Sequence, residues 1–370
     1  LIKLVDLTFY AHLDYTWPEQ VIENHAPALA FAPHLKNKLD FSFVKHAAFE
    51  QQINVDGIPY FFFKGRNRFW SVSFKTYQFI RKLKPDIVLV QGLVFPLQVL
   101  LLRLLCGNNF KIVIQHHGEL PFHGLKGLIQ KLACKLLSAV IFTAAGNALI
   151  WKKRTIIKTD TPIFELLEAS TDFKKQDKQI SRQRTGITGT TVFLWVGRLN
   201  ANKDPLTVLS GFNKYLAVNP QAKLYMIYQT EDMLREVVQM FASSPTLSNA
   251  VVLIGKVAYA DLPYWYSAAD FYISGSHKEG SGYALMEAMA CGCIPVATTI
   301  PPYKKITGDG KCGFLYPAGN ALTLAALLST IDGLNRKKLA DDTLNYFQQN
   351  LSFKNIADDL VTICNKLMAK

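Results

Sequence analysis

Glu279-Gly-Ser-Gly-Tyr-Ala-Leu-Met-Glu287 sets two carboxylates on either side of a glycine-bearing turn, with seven residues between them. Upstream, Asp270-Phe-Tyr-Ile-Ser274 reads as a short buried strand. Downstream, Ala284 to Ala290 is apolar and helix-forming. The order is strand, glycine loop, helix start. A helix start offers backbone N–H groups with no intrahelical partner and the positive end of the helix dipole, so it receives anions. Gly280 and Gly282 let a bulky anion approach the backbone. Acids flanking such a turn suit a ligand with both phosphate and hydroxyl groups, the chemistry of a nucleotide sugar. A helix-cap acid and a surface acid could share this spacing. Glu287, however, lies within Ala-Leu-Met-Glu-Ala-Met-Ala, where a lone carboxylate is costly unless it is paired or binds hydroxyls.

Outward from this motif, apolar β-prone runs alternate with helical ones. Strands are expected at Val192–Val196, Lys223–Tyr228, Val251–Ile254, Phe271–Ser274 and Ile294–Ala297, and earlier near 2–9, 42–47, 59–63, 87–91, 111–115 and 139–143. Such alternation implies an α/β fold with parallel sheets covered by helices. The pattern breaks around 165–190, where Glu168-Ala-Ser-Thr-Asp-Phe173 is turn-like and the next residues are charged. We expect two doubly wound Rossmann-like domains, 1–168 and 169–345. The stretch 335–369 reads as amphipathic helix, and its part from 346 to 370 is expected to pack back on the N-terminal domain. Two such domains would hold a ligand cleft between them, at the carboxyl ends of their strands.

Further candidates lie at strand ends. Val196-Gly-Arg-Leu-Asn-Ala-Asn-Lys-Asp204 follows the first strand of the second series. Gly197 permits a tight exit, and Arg198 and Lys203 can converge on one diphosphate, a planar fork beside a point charge. Two solvated loop cations would look alike in sequence. Gln115-His-His-Gly-Glu119 ends a strand of the first series; a histidine there can donate to a sugar hydroxyl or stabilise developing charge, or be structural. The sequence contains no metal-diphosphate Asp-x-Asp and no GxxxxGK[ST], and its one GxGxxG, Gly308–Gly313, does not follow a strand-like run. Kinases, ATPases and common dehydrogenases are disfavoured. No metal and no cofactor is expected; the leaving diphosphate would be stabilised by Arg198, Lys203 and helix-end N–H groups.

Charge is uneven. Of the net +13, about +11 falls in residues 1–158, with roughly 20 Lys and Arg against 9 Asp and Glu. Phe61-Phe-Phe-Lys-Gly-Arg-Asn-Arg-Phe-Trp70 and the basic amphipathic segment Pro121–Leu137 mix cations with apolar groups. That suits peripheral contact with an anionic membrane, although a core-facing helix with a solvated basic face has the same pattern. Nothing resembles a nucleic-acid recognition motif. Ile87–Leu105 is too interrupted to span a bilayer. Six cysteines without CxxC or zinc spacing read as free thiols of a reducing compartment. Without a signal-like start, a cytoplasmic location, at the inner face of the membrane, is expected.

Together these residues resemble glycosyltransferase family 4, retaining enzymes of GT-B fold. The resemblance spans roughly 190–330. It rests on Val196-Gly-Arg198 with Lys203, Ser267-Ala-Ala-Asp270, Glu279 with Glu287, Ala288-Met-Ala-Cys-Gly292 with Pro295-Val296, and Gly310-x-x-Gly313-x-Leu-x-Pro317. The first half adds only His117-Gly118 and the linker Glu168–Phe173. The resemblance implies a metal-independent transfer of sugar from a UDP- or GDP-linked donor to a glycan or lipid-linked acceptor, in cell-surface polysaccharide or glycolipid synthesis. It implies that Arg198 and Lys203, beside Gly197, bind the diphosphate, and that Glu287 takes the ribose hydroxyls. Glu279 would contact the donor sugar, and the N–H groups of Gly282, Tyr283 and Ala284 would hold sugar and distal phosphate. Lys256 and Val257 would line the base, and His117 would touch the sugar from the other domain. The catalytic set is then His117, Glu279, Arg198 and Lys203. One departure concerns the turn after the first strand, glycine-rich in the family. Here it reads Tyr10-Ala-His-Leu-Asp-Tyr-Thr-Trp-Pro18. Tyr15 and Trp17 are expected to form an aromatic acceptor platform, with His116 on the same side. A non-catalytic sugar-nucleotide-binding protein and a GT-B phosphorylase or epimerase remain alternatives.

Overall fold

The computed structural model describes residues 1–369. The chain forms two compact units. The first is Leu1–Ala169 together with the C-terminal helix Phe353–Met368, and the second is Ser170–Ser352.

In the first unit eight strands form one sheet: β1 (Lys3–His12), β2 (Asp40–Ala47), β3 (Gln51–Val55), β4 (Ile58–Lys64), β5 (Ile87–Gln91), β6 (Lys111–Gln115), β7 (Ala139–Phe142) and β8 (Ile163–Glu165). Their order is β3-β4-β2-β1-β5-β6-β7-β8. Every pair is parallel except β3 with β4, an edge hairpin. The all-parallel expectation therefore fails at this edge. Residues 54–57, Asn-Val-Asp-Gly, supply the reason: Asp56 and Gly57 both take positive φ, the geometry of a tight hairpin turn. The central strands are apolar on both sides because both faces are covered. One face carries Val5, Leu7, Phe9, Val44, Val88, Val90, Ile112 and Ile114, all in one buried cluster.

Strand β1 runs to His12, beyond the expected 2–9. Its pairing with β2 slips between Thr8 and Ala11, a bulge that re-aims the strand end. The Asn67 side chain then substitutes for a neighbouring strand: its Oδ1 accepts from Ala11 N–H at 2.6 Å and its Nδ2 donates to Ala11 C=O at 2.7 Å. Part of the stretch read as a loop after the first strand is thus strand. Within the same unit the helix Phe353–Met368 buries Ile356, Leu360 and Ile363, and Lys38 Nζ meets Asp358 Oδ1 at 2.6 Å. The stretch 335–369 is two helices, Arg336–Asn350 and Phe353–Met368.

The second unit has six parallel strands: β9 (Val192–Gly197), β10 (Lys223–Tyr228), β11 (Val251–Gly255), β12 (Phe271–Ile273), β13 (Ile294–Thr298) and β14 (Phe314–Tyr316). Their order, β11-β10-β9-β12-β13-β14, reverses direction between β9 and β12. This is the doubly wound dinucleotide-binding order, and ligands of such sheets lie beyond the strands' carboxyl ends at the reversal. The carboxyl end of β9 is Gly197, and Ser274-Gly275 follow β12. The architecture thus puts both motifs read from the sequence at one switch point. Asp270 anchors the amino end of the sheet, accepting from Val192 N–H at 2.8 Å and pairing with Lys178 at 2.5 Å.

Candidate functional site

A cavity of about 270 Å³ opens at this switch point. Gly197, Arg198, Lys203, Val257, Glu279, Gly282, Tyr283 and Ala284 line it. All eight were singled out from the sequence. Val196, Ile227, Tyr228, Gln229, Leu262 and Tyr303 complete the lining. Lys256 and Glu287 are not in it.

The cavity's charges are already in contact. Lys203 Nζ ion-pairs with Glu279, whose Oε1 also accepts from Tyr303 Oη at 3.1 Å. Tyr303 comes from the helix Pro301–Ile306 and touches Ser274 Oγ at 3.0 Å and Ser276 Oγ at 3.3 Å. Its burial and nearby Tyr272 and Glu279 hold its hydroxyl protonated, well above the usual phenol range. Arg198 is exposed at the cavity rim. The helix Tyr283–Ala290 starts at Gly282, which has φ +68°. A Cβ at Gly282 would lie 2.8 Å from Ile306 Cδ1, so only glycine fits. The helix start, Gly282 to Ala284, thus lines one basin together with Arg198 and Lys203.

Glu287, one turn into that helix, is 7% exposed. It is not a lone carboxylate. Tyr266 Oη donates to its Oε2 at 3.0 Å, and Tyr259 is a second donor. Burial raises its pKa above the usual carboxylate value, while the two tyrosine hydrogen bonds oppose that. It stands behind the cavity wall, on hydroxyl donors rather than in bulk solvent.

The first unit has its own, larger cavity, about 520 Å³, on the sheet face bearing Asp6, Thr8, Phe43 and Lys45. His117 lines it and is held at both ring nitrogens: Nε2 lies 2.7 Å from Gln91 Oε1 and Nδ1 lies 3.1 Å from Glu168 Oε2. Burial lowers its pKa, but the Glu168 hydrogen bond and the Glu168, Glu119 and Asp6 charges outweigh that, and the net shift is upward. Two acceptors on one ring favour an imidazolium donating on each side. Glu168 also accepts from Thr143 Oγ1 at 3.0 Å. Glu119 accepts from His117 N–H at 2.6 Å and from Leu93 N–H, clamping the loop after β6.

None of the three acceptor-side candidates lines this cavity. His116 is buried, its ring packed on Phe142 and Trp151 and its Nε2 2.9 Å from the Glu119 carbonyl; it is a core residue. Two consecutive residues at a strand end point to opposite faces, so only one histidine can face the cavity. Tyr15 and Trp17 do not line the cavity either. Tyr15 sits edge-on to His25, and Trp17, 62% exposed, is the cap of the helix Pro18–Asn24. The aromatic groups that do face the cavity are Tyr10, Phe31, Phe43 and Phe95. Asp6, Lys45 and Tyr303 were not read from the sequence. For the first two the signal was present: an acid inside the apolar run 2–9 and a lysine inside Phe43-Val-Lys-His-Ala47.

Among the described residues no group of three or more His, Cys, Asp or Glu side chains is placed to hold a metal ion. No helix among them is long and apolar enough to cross a membrane. All six cysteines are free.

Two α/β sheets, the second doubly wound with Arg198, Lys203 and a helix start at its switch point, define a protein of two Rossmann-like units. Residues 177–342 match the family model for glycosyl transferases group 1, and this region is a domain of that family. The chain is 34% identical over 127 residues to mannosylfructose-phosphate synthase of Agrobacterium fabrum, covering 33% of this chain and 28% of that protein. It is 26% identical over 183 residues to alpha-monoglucosyldiacylglycerol synthase of Streptococcus pneumoniae, covering 48% of this chain and 41% of that protein. The chain thus spans less than half the length of either relative. Among solved structures, Anabaena HepE in complex with UDP superposes with a TM-score of 0.71 at 18% identity, over 100% of both chains. The fold is accordingly the GT-B fold of such glycosyltransferases.

Proposed function

We propose that the protein is a retaining glycosyltransferase that moves a sugar from a nucleoside-diphosphate sugar, without a divalent metal, to a glycan or lipid-linked acceptor. The observation that carries this reading is the second unit's basin, where Arg198, Lys203 and the amino end of the helix Tyr283–Ala290 converge. That set suits a diphosphate leaving group: fixed positive charge meets the charge that develops as the sugar–phosphate bond breaks. The acceptor oxygen forms the new bond to the anomeric carbon, the bond to the diphosphate oxygen breaks, and the acceptor proton passes to the departing phosphate. Attack and departure on one face retain configuration. Glu279, tied to Lys203 and Tyr303, orients donor hydroxyls in this scheme and is not a nucleophile. The neutral–acidic pairing with two tyrosines keeps Glu287 ready for ribose hydroxyls once Tyr259 gives way.

We further propose that the acceptor is met at a membrane surface. The helix Gly124–Cys134 exposes Leu125 and Leu128 at 67% and 56%, interleaved with Lys126 and Lys131. The helix Leu149–Lys153 adds Leu149, 70% exposed, with Lys152 and Lys153. Contacts between Lys131 Nζ and Thr155 Oγ1 at 2.8 Å, and Arg154 and His123 at 3.0 Å, tie the first helix to the residues that follow the second. Apolar tips ringed by lysines fit an anionic interface. The streptococcal relative's name, a diacylglycerol glycolipid synthase, is consistent with a lipid-borne acceptor.

The test is a thermal-shift and calorimetric panel of UDP, GDP and ADP and their sugar conjugates, in EDTA and in Mg²⁺. A ligand that binds only the folded state raises the apparent stability. A shift for one base in EDTA, lost in Arg198→Ala, supports the donor reading. No shift with any nucleotide refutes it.

A further inference from the structure

The first unit's cavity holds two charged groups that the donor chemistry does not use. Asp6 lies within β1, 3% exposed, and Lys45 within β2, 6% exposed. In the parallel register Asp6 sits opposite Phe43 and Thr8 opposite Lys45, so all four side chains share one sheet face. Asp6 Oδ2 accepts from Gln91 Nε2 at 2.5 Å, but Asp6 Oδ1, fully buried, has no hydrogen-bond partner. Among the described residues Lys45 Nζ has no hydrogen bond and no carboxylate within ion-pair distance; it stands 5.0 Å over the Phe43 ring. Asp6, with one buried unpartnered oxygen, and Lys45, without a partner in the chain, both line this cavity. Buried polar groups are rarely left so, and each exception calls for an explanation.

The pair narrows what can enter. An anion would meet Lys45 but also the carboxylates of Asp6, Glu119 and Glu168, all in the lining. A cation would meet Lys45 and His117. A hydroxyl suits both groups, donating to the Asp6 carboxylate and accepting from the Lys45 ammonium. The remaining walls, Leu29, Phe31, Phe43 and Phe95, are apolar and partly aromatic, and suit the C–H face of a sugar ring. The volume, about 520 Å³, lies within the range of ordinary ligand sites. We propose that Asp6 and Lys45 bind a hydroxyl of a pyranose ring in this cavity, making them residues that select a carbohydrate acceptor. The assignment of that sugar as the acceptor rests on the glycosyltransferase reading; its binding here does not.

The experiment uses the full chain and a panel of octyl glycosides, glucoside, galactoside and mannoside, followed by ligand-observed NMR and calorimetry below their micelle concentrations. Asp6→Asn and Lys45→Met are compared with the wild type, and nucleoside-diphosphate binding is measured alongside. We expect at least one glycoside to bind the wild type, with affinity falling tenfold or more in each variant while nucleotide binding stays within twofold. Deoxygenating the recognised hydroxyl should cost the wild type a similar factor and the Asp6→Asn variant little. Equal glycoside affinity in wild type and in a variant that still binds nucleotide would overturn the proposal. So would equal binding of 1-octanol and the glycosides, which would make the cavity an apolar site. Loss of nucleotide binding in the wild type itself refutes the donor reading and leaves the glycoside result to be judged on its own.

Discussion

Replacing Glu279 by Gln should tighten binding of free nucleoside diphosphate while slowing transfer. In the structure Lys203 spends its charge on Glu279, and both side chains are largely buried, 22% and 13% exposed. A diphosphate entering the basin meets a net charge near zero from this pair. Glutamine keeps the shape and can still accept from Tyr303, whose hydroxyl lies 3.1 Å from Oε1. It removes one negative charge beside the phosphates. At about 6 Å and an effective dielectric constant near 20, that repulsion amounts to ~3 kcal/mol per unit charge. Screening by 0.15 M salt and solvent at the basin's mouth cuts it to ~1–2 kcal/mol, a five- to thirtyfold gain in affinity. Lys203→Met should do the reverse. It leaves Glu279 unpaired and removes a charge-assisted contact worth ~1.5–3 kcal/mol, for a tenfold or greater loss. Isothermal titration of UDP and GDP at fixed ionic strength in EDTA reads both signs. If Glu279→Gln weakened nucleotide binding in EDTA, the charge argument would be wrong; if it weakened binding only in a parallel titration with Mg²⁺, a carboxylate holding a divalent ion would replace the metal-free reading.

Glu287→Ala strands the buried Tyr266 hydroxyl, 3.0 Å from its present acceptor, so urea unfolding should show a loss of ~1–3 kcal/mol, with Glu287→Gln losing much less. Gly282→Ala puts a Cβ 2.8 Å from Ile306 Cδ1 at φ +68°; we expect ~1–2 kcal/mol of destabilisation and a fall in kcat, measurable by denaturation and by donor turnover. Asp6, raised by burial to about 6 against the opposing Lys45 and His117 charges, keeps its proton in the folded chain where the unfolded chain has lost it. Its contribution to stability therefore declines as pH rises from about 4 to about 6, by at most ~3 kcal/mol, and unfolding at pH 4.5, 5.5 and 6.5 should show a shallower change in Asp6→Asn. Leu125→Ser with Leu128→Ser removes two exposed apolar tips; sedimentation with anionic vesicles should fall about tenfold or more while stability moves by less than ~1 kcal/mol.

The donor basin was legible because its parts are local. Gly197-Arg198 ends one strand, Glu279-Gly-Ser-Gly282 follows another, and a doubly wound order brings those two ends together. What the sequence hid is what distant elements contribute. Tyr266 and Tyr259 belong to the segment after β11, and nothing in the spacing around Glu287 announces them. Tyr303 reaches Glu279 from the helix after β13, again without a local signal. His116 was misplaced for a different reason: the dipeptide marks a strand end correctly, but side-chain alternation decides which histidine turns inward. The strands β8 and β14, three residues each, are too short to show a period. Strand β3 was missed because Gln51-Gln-Ile-Asn-Val55 is a polar edge strand whose pairing with β4 comes from the Asp56-Gly57 turn rather than from its own apolarity.

The two cavities handle buried charge in opposite ways, and this predicts which one tolerates substitution. In the second unit the acids already have donors: Glu279 has Lys203 and Tyr303, and Glu287 has two tyrosines. Ligand hydroxyls there exchange one hydrogen bond for another, which is nearly neutral in free energy. Affinity must then come chiefly from Arg198, which is exposed. In the first unit Asp6 Oδ1 is buried with no hydrogen-bond partner, and Lys45 Nζ has no partner within the chain beyond the Phe43 ring. A hydroxyl that reaches them relieves a desolvation cost the empty fold already carries, so each bond formed contributes more than an exchanged one. Single substitutions at Asp6 or Lys45 should therefore act sharply on the ligand of that cavity and even raise the stability of the empty protein when both are replaced together by apolar groups, as Asp6→Leu with Lys45→Met. The same pairwise replacement of Lys203 and Glu279 would remove a satisfied ion pair and a tyrosine's partner, and should not.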